Sequence, residues 1–258
     1  MAFAVAMTES PRTMNRPSLL CLGCVVVMFA SCKKEEAAPV TPAPTTVAPK
    51  VNAPPPNAAA GFGGTYTIAS ASNPGGGGGY TGTVDIAAGA VHTVKWSLPN
   101  SPPYSGVGLI TDGALGIGWG LGANYGVVVY KVNGGTLEGR WATAVTGNFV
   151  GTETISGPEG LNGTYKITAA TTPTGGGSYS GTVDITPNGE TYNVKWTLEG
   201  GASYGGVGMK RGNTLIVGWG VGEKSAGTVV YELKDGKLDG KWAQPGGPQL
   251  GTEVLEKK

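Results

Sequence analysis

The chain has 258 residues, of which 47 are Gly and 18 Pro, with 8% aromatic and only 14% charged side chains, against roughly 25% charged and about 7% Gly in ordinary soluble domains. This composition excludes long charged helices, because each Gly costs about 1 kcal/mol against Ala in a helix interior, and the glycines follow no three-residue collagen period. A formal charge of +1, from 18 basic and 17 acidic residues, leaves no electrostatic footprint for nucleic acid.

At the N-terminal end, Arg12 and Arg16 precede an apolar run from Leu19 to Ala30. The run is shorter than the roughly 20 residues a membrane-spanning helix needs, and it has the layout of a secretory signal peptide. Its end, Phe29-Ala30-Ser31-Cys32, resembles the bacterial lipobox, with Phe29 in place of the usual Leu or Val. That resemblance implies a signal peptide over 1–31, acylation of Cys32, and membrane attachment through the lipid. Lys33 rather than Asp after the cysteine implies the outer membrane and cell surface. Cys24 is the weaker candidate because its apolar run is too short, and Met14-Asn15-Arg16 offers a compact alternative start. Cys21 and Cys24 leave with the signal and Cys32 carries lipid, so no disulfide within the chain is expected. Loss of Glu9, Arg12 and Arg16 with the signal leaves a mature chain without net charge.

Residues 32–60 hold the lipidated Cys32 and then a Pro/Ala-rich stretch with Pro39, Pro42, Pro44, Pro49, Pro54, Pro55 and Pro56. Such a segment cannot bury a core and favours extended polyproline II, which makes it a semi-rigid stalk.

The remainder is one unit written twice. Gly64-Thr65-Tyr66 returns as Gly163-Thr164-Tyr165, Gly82-Thr83-Val84-Asp85-Ile86 as Gly181-Thr182-Val183-Asp184-Ile185, and Val94-Lys95-Trp96 as Val194-Lys195-Trp196. Gly118-Trp119-Gly120, Val129-Tyr130, Gly139-Arg140-Trp141-Ala142 and Gly151-Thr152-Glu153 recur in the same order. The repeat length is that of a domain rather than a solenoid unit. We expect one copy over 61–155, a joint at 156–159 and a second copy over 160–258.

Side chains alternate with period two inside each copy. Tyr192, Val194, Trp196 and Leu198 share one strand face, and Leu215, Val217 and Trp219 oppose Ile216, Gly218 and Gly220, so apolar residues face in and polar residues or glycines face out. Turn clusters such as Pro74-Gly75-Gly76-Gly77, Pro187-Asn188-Gly189 and Lys234-Asp235-Gly236 cut each copy into about eight short strands. The expected fold is all-β, with two tandem small antiparallel up-and-down β-barrels, since closure removes exposed sheet edges; an open β-sandwich is the alternative. Glycines on the outer face, Gly116, Gly118 and Gly120, would ease the bending. Within each copy the tryptophans, Trp96, Trp119 and Trp141 against Trp196, Trp219 and Trp242, are the expected core, large enough to favour a filled interior.

Across Gly61 to Leu255 the repeated Gly-Thr-Tyr, Val-Lys-Trp, Gly-Trp-Gly, Val-Val-Tyr and Gly-Thr-Glu elements resemble short secreted bacterial repeat proteins, some labelled fibronectin-binding. The opening Gly-Thr-Tyr and closing Gly-Thr-Glu beside an aromatic interior also have a distant likeness to the calycins, the avidin and lipocalin barrels. The first resemblance implies an adhesin and the second a carrier, and neither supplies contact residues.

The chemistry points away from catalysis. His92, the only histidine, aligns with Tyr192 and shares its face with Val94 and Trp96, so a core or rim role is expected. A Ser/His/Asp or Cys/His arrangement and an ordinary zinc site lack their residues, and no metal or cofactor is expected. Asp85 and Asp184 should face outward, and Glu138/Arg140 and Asp239/Lys241 look like surface pairs. The glycine runs lack the Lys-Ser/Thr and helix of a phosphate loop.

Glu153 and Glu253 differ, because they share parity with Ile155 and Leu255 and reach an interior where a carboxylate needs donors. Tyr66/Tyr165 or an indole N–H would supply them, as a structural latch or as a ligand anchor. Two non-enzymatic functions follow, the first favoured because short strands and large aromatics fill a barrel interior, the second as its alternative. One is a surface-displayed module contacting a host matrix protein or envelope component, with avidity from duplication. The other is a carrier of a small apolar ligand among the interior tryptophans and Glu153/Glu253.

Overall fold

The computed structural model describes residues 61–120, 122–222 and 225–258. The signal peptide, the lipidation candidate Cys32 and the stalk lie outside these residues. The first copy supplies β1 (Gly64–Ser72), β2 (Thr83–Ala87), β3 (His92–Ser97), β4 (Tyr104–Thr111), β5 (Ala114–Gly120), β6 (Tyr125–Asn133), β7 (Thr136–Thr143) and β8 (Gly151–Ser156). The second supplies β9 (Gly163–Thr171), β10 (Gly181–Asn188), β11 (Thr191–Leu198), β12 (Ser203–Arg211), β13 (Thr214–Val221), β14 (Ala226–Lys234), β15 (Lys237–Ala243) and β16 (Gly251–Lys257). A single turn of 3-10 helix, Pro74–Gly76, stands between β1 and β2. Tight two-residue turns close hairpins where the sequence offers Asp-Gly: Asp112-Gly113 and Asp235-Gly236 both take positive φ, at 47° and 76° and at 49° and 78°, the geometry that matches the twist of paired strands.

The strands form two closed antiparallel eight-stranded barrels, as the alternation predicts, but the barrels do not coincide with the repeats. One runs β1-β16-β15-β14-β5-β4-β3-β2 and the other β10-β11-β12-β13-β6-β7-β8-β9. We call the first the split barrel, because it joins β1–β5 to β14–β16, and the second the continuous barrel, because it is β6–β13 in sequence. The expected assignment of one barrel to 61–155 and one to 160–258 is therefore corrected: each barrel takes five strands from one copy and three from the other.

The exchange takes place at β5 and β13. After Gly120 the chain does not fold back as a hairpin, and β5 pairs with β14, placing Gly118 opposite Thr228. In return β13 pairs with β6, placing Gly218 opposite Val127. Because β6 and β14 carry the same Gly-x-Val-Val-Tyr pattern, either fits the place beside β5 or β13. The expected joint at 156–159 becomes the β8–β9 connection inside the continuous barrel.

Two cores fill the barrels and a third joins them. Ile68, Val84, Ile86, Val94, Leu115, Ile117 and Leu255 pack inside the split barrel, and Ile167, Val183, Ile185, Val194, Leu215, Leu137 and Ile155 inside the continuous one. Between the barrels lie Val107, Leu109, Val127, Val129, Val207, Met209, Ile216 and Val230. These point outward from their own barrels, so β4–β6 and β12–β14 are apolar on both faces, as strands covered on both sides are.

At the crossing Gly118 and Gly218 face each other. A Cβ on Gly118 would collide with the carbonyl of Gly126 and lie 3.1 Å from the Cα of Gly218, and one on Gly218 would collide with the carbonyl of Gly227. These outer-face glycines thus serve close approach of the two barrels. Polar contacts ring the joint: Arg140 Nη2 donates to the Ile110 carbonyl at 2.6 Å, and Arg211 pairs with Glu232 at 2.5 Å. Asp112 accepts from Lys131 at 2.8 Å and from Thr214 at 2.7 Å, which together hold its carboxyl below the usual range.

Candidate ligand-binding site

The strand exchange regroups the expected site residues. Trp96 and Trp119 share the split barrel with Trp242, and Trp141 joins Trp196 and Trp219 in the continuous one. Glu253 likewise belongs with Trp96, and Glu153 with Trp196. The expected triads, Trp96, Trp119 and Trp141 against Trp196, Trp219 and Trp242, are corrected by one member each.

Both glutamates reach the interior, as their parity predicts, and both are buried, Glu153 at 3% and Glu253 at 2% exposure. Glu153 Oε1 accepts a short hydrogen bond from the Tyr130 hydroxyl and one of 3.1 Å from Trp196 Nε1. Glu253 Oε1 accepts from the Tyr231 hydroxyl and, at 3.2 Å, from Trp96 Nε1. Tyr179 and Tyr80, on the loops before β10 and β2, interact with the same two carboxyls.

The indole donor is thus as expected, but Tyr66 and Tyr165 are not the phenolic ones. Their hydroxyls close the opposite end, Tyr66 donating to the Phe62 carbonyl at 2.9 Å and Tyr165 to the Pro158 carbonyl at 3.0 Å. Tyr130 and Tyr231 reach the glutamates because Gly139 and Gly240 stand beneath their rings. A Cβ at Gly139 would lie 2.7 Å from Tyr130 Cδ1, and one at Gly240 2.5 Å from Tyr231 Cε1.

Burial raises both carboxyls above the usual glutamate range, and the bonds from Tyr130, Trp196 and Tyr179, or from Tyr231, Trp96 and Tyr80, offset only part of this. The neutral acid is therefore favoured in the folded state beyond its normal pH range. Burial and the adjacent carboxyl also push the Tyr130 and Tyr231 hydroxyls well up, which keeps them protonated as donors.

Above Glu153 the continuous barrel is hollow. A cavity of about 300 Å³ is lined by Trp141, Trp196, Trp219, Tyr179 and Tyr204, with Val128, Leu198 and Thr172 completing the wall. The expected filled core holds at the closed end, where Tyr165, Ile185 and Leu215 are fully buried, and gives way at the mouth. Trp141 and Trp219 meet edge to face at 5.9 Å and 70°, Tyr204 and Trp219 at 5.4 Å and 80°, and Trp141 and Tyr179 at 6.0 Å and 74°. The Trp141 indole N–H lies near the Tyr179 hydroxyl without the alignment of a hydrogen bond, and Trp242 Nε1 is equally unpaired in the split barrel.

The other charged candidates stay on the surface or in the frame. Asp85 accepts from Thr65 at 2.7 Å and Asp184 from Thr164 at 2.5 Å, both across strands. Asp239 pairs with Lys234 at 2.8 Å rather than with Lys241, and Arg140 bonds to the Ile110 carbonyl rather than to Glu138. His92 is buried at 1% exposure opposite Gly108. Among the described residues no cluster of three His, Cys, Asp or Glu side chains is placed to hold a metal ion.

Fold and site together define a closed antiparallel barrel protein with an aromatic interior built around a buried acid. No family model, curated protein or solved structure matches the chain.

Proposed function

We propose that this protein is a non-enzymatic binding protein that takes a small, largely apolar ligand into the barrel interior and is displayed at the bacterial envelope by a lipid on Cys32. The observation that carries the ligand reading is the aromatic cavity of about 300 Å³ above Glu153. That size is at the lower end of small-molecule sites, which are mostly apolar with a few placed polar groups. Trp141, Trp196, Trp219, Tyr179 and Tyr204 supply the apolar area, and Glu153 supplies the polar anchor. Trp119, Trp242 and Trp96 around Glu253 repeat the arrangement in the split barrel.

The competing reading, an adhesin for a host matrix protein or envelope component, drew on avidity between two independent modules. The two barrels exchange three strands and share a core, so they are not separately folded modules, and the cavity supports the ligand reading over the adhesin one.

Native mass spectrometry of the full-length chain, purified gently from its own envelope, tests the ligand reading. A reproducible added mass, lost in Trp219→Ala, supports it. A clean apo mass together with no calorimetric binding of neutral apolar probes such as indole and hexanol overturns it. For the anchor, an alkyne analogue of palmitate should label the wild type and not Cys32→Ser; labelling of both or of neither rejects lipidation at this cysteine.

A further inference from the structure

We propose that the cavity of the continuous barrel selects a small organic ammonium ion, held by the faces of Trp141, Trp219, Tyr179 and Tyr204 and neutralised by the carboxylate of Glu153. The inference rests on the ligand-binding reading above and adds the charge of the ligand. Three near-perpendicular ring contacts, at 70°, 80° and 74°, leave unstacked the four rings that line the cavity. Ring faces are the negative pole of the aromatic quadrupole, and a cation lodged among several of them is attracted most strongly where water is excluded.

The charge inventory of the wall points the same way. Among the residues lining the cavity Glu153 is the only carboxyl, and no lysine, arginine or histidine accompanies it. An anionic ligand would meet no countercharge. A neutral ligand would leave a buried acid that must stay protonated, whereas an ammonium ion supplies the missing charge and lets the acid ionise. The groups that face Glu153 are Tyr130 from β6, Trp196 from β11 and Tyr179 from the loop before β10. All three are donors, so they favour the carboxylate once the cation balances it. Binding should then release one proton from Glu153, and affinity should rise with pH until that carboxyl is ionised in the free protein.

Calorimetry on the full-length chain in a non-ionic detergent, with choline and 3,3-dimethylbutan-1-ol as probes, separates charge from shape, because the second replaces the trimethylammonium nitrogen by carbon. The expected result is binding of choline about tenfold tighter or more than its neutral isostere at pH 7, a preference that grows as pH rises above the ordinary glutamate value. It should be lost in Glu153→Gln/Glu253→Gln, which silences both barrels. Should that variant fail to fold, the pH dependence of the wild-type preference decides in its place. Equal binding of the two probes, or binding of indole and hexanol without choline, overturns the ammonium inference and leaves the ligand-binding reading standing. Failure of all four probes overturns both.

Discussion

In the split barrel Tyr104 lies tilted between Trp96 and Trp119, at 6.2 Å and 31° from one and 6.0 Å and 35° from the other. In the continuous barrel its counterpart Tyr204 stands nearly perpendicular to Trp219, at 5.4 Å and 80°, beside the cavity of about 300 Å³. One level deeper the barrels agree, each holding a buried glutamate by one tyrosine hydroxyl and one indole N–H. The inner level is constrained because a buried carboxyl without donors is costly. The rim has no such constraint, so the same rings can lie over or stand up, and rim geometry is where the two barrels diverge.

The joint between the barrels should be a highly sensitive point. Gly118→Ala or Gly218→Ala places a methyl group against backbone that has no room to give, so the loss should reach or exceed the ~1–3 kcal/mol usual for overpacking. Since both barrels share the joint, native-state hydrogen exchange at Tyr66 in the split barrel and at Tyr165 in the continuous one should accelerate together. Acceleration confined to one barrel would show that the two are independent.

Removing the acid comes next. Glu153→Leu and Glu253→Leu each strand a buried tyrosine and a buried tryptophan donor, at ~1–3 kcal/mol apiece, so each should lose about 2–6 kcal/mol by urea denaturation. The Gln variants, which keep an acceptor oxygen, should lose about 1 kcal/mol. Matching losses in the two barrels would confirm that the inner level is common to both; a large difference would place the divergence deeper than the rim.

The pH dependence follows from the same pair. Both carboxyls are raised on folding, so the folded state binds protons more tightly than the unfolded one. Their contribution is fully present below the ordinary glutamate value of about 4.3 and is lost as pH rises through the raised folded values. Wild-type stability should therefore fall across that window relative to Glu153→Gln/Glu253→Gln. Parallel profiles would mean that the two carboxyls are not raised.

The rim itself gives the smallest effect. Tyr104→Ala removes contacts with two tryptophans and Tyr204→Ala with one, and at about 0.5–1.5 kcal/mol per aromatic pair the first should be the more destabilising by about 1 kcal/mol. Thermal unfolding of the two variants side by side is sufficient; equal losses would remove the distinction drawn between the rims.

Much of this was legible in the sequence and some of it only in hindsight. Alternation through Tyr192-Val194-Trp196 and Leu215-Val217-Trp219 gives strand faces, and the parity of Glu153 with Ile155 places its carboxyl inside. The partners of that carboxyl were also repeated, Tyr130 with Tyr231, Gly139 with Gly240, and Tyr80 with Tyr179. Their joint action depends on cross-strand register, which a single strand pattern does not carry. The exchange of strands was hidden for a physical reason: β6 and β14 present equivalent side chains to β5 and β13, so local pattern is satisfied by either pairing. The trace it leaves is the run Val127-Val128-Val129-Tyr130, which fails to alternate because both of its faces are covered.

That exchange also fixes a schedule. All eight strands of the continuous barrel are consecutive, whereas the split barrel closes only when Tyr66 meets Lys257 and Ile68 meets Leu255, partners from opposite ends of the described chain. Closing so long a loop is entropically expensive and slow. The strands β1–β5, first to be made, must wait for β14–β16, last to be made, while β6–β13 shut as a unit in between. Pulse-labelled hydrogen exchange during refolding should accordingly protect the amides around Tyr130 and Leu215 before those around Tyr66 and Leu255; simultaneous protection would mean that the inner barrel gains nothing from its contiguity. Until then the waiting strands have unpaired edges, and an edge that waits can pair with the wrong neighbour, including the same strands of a second molecule.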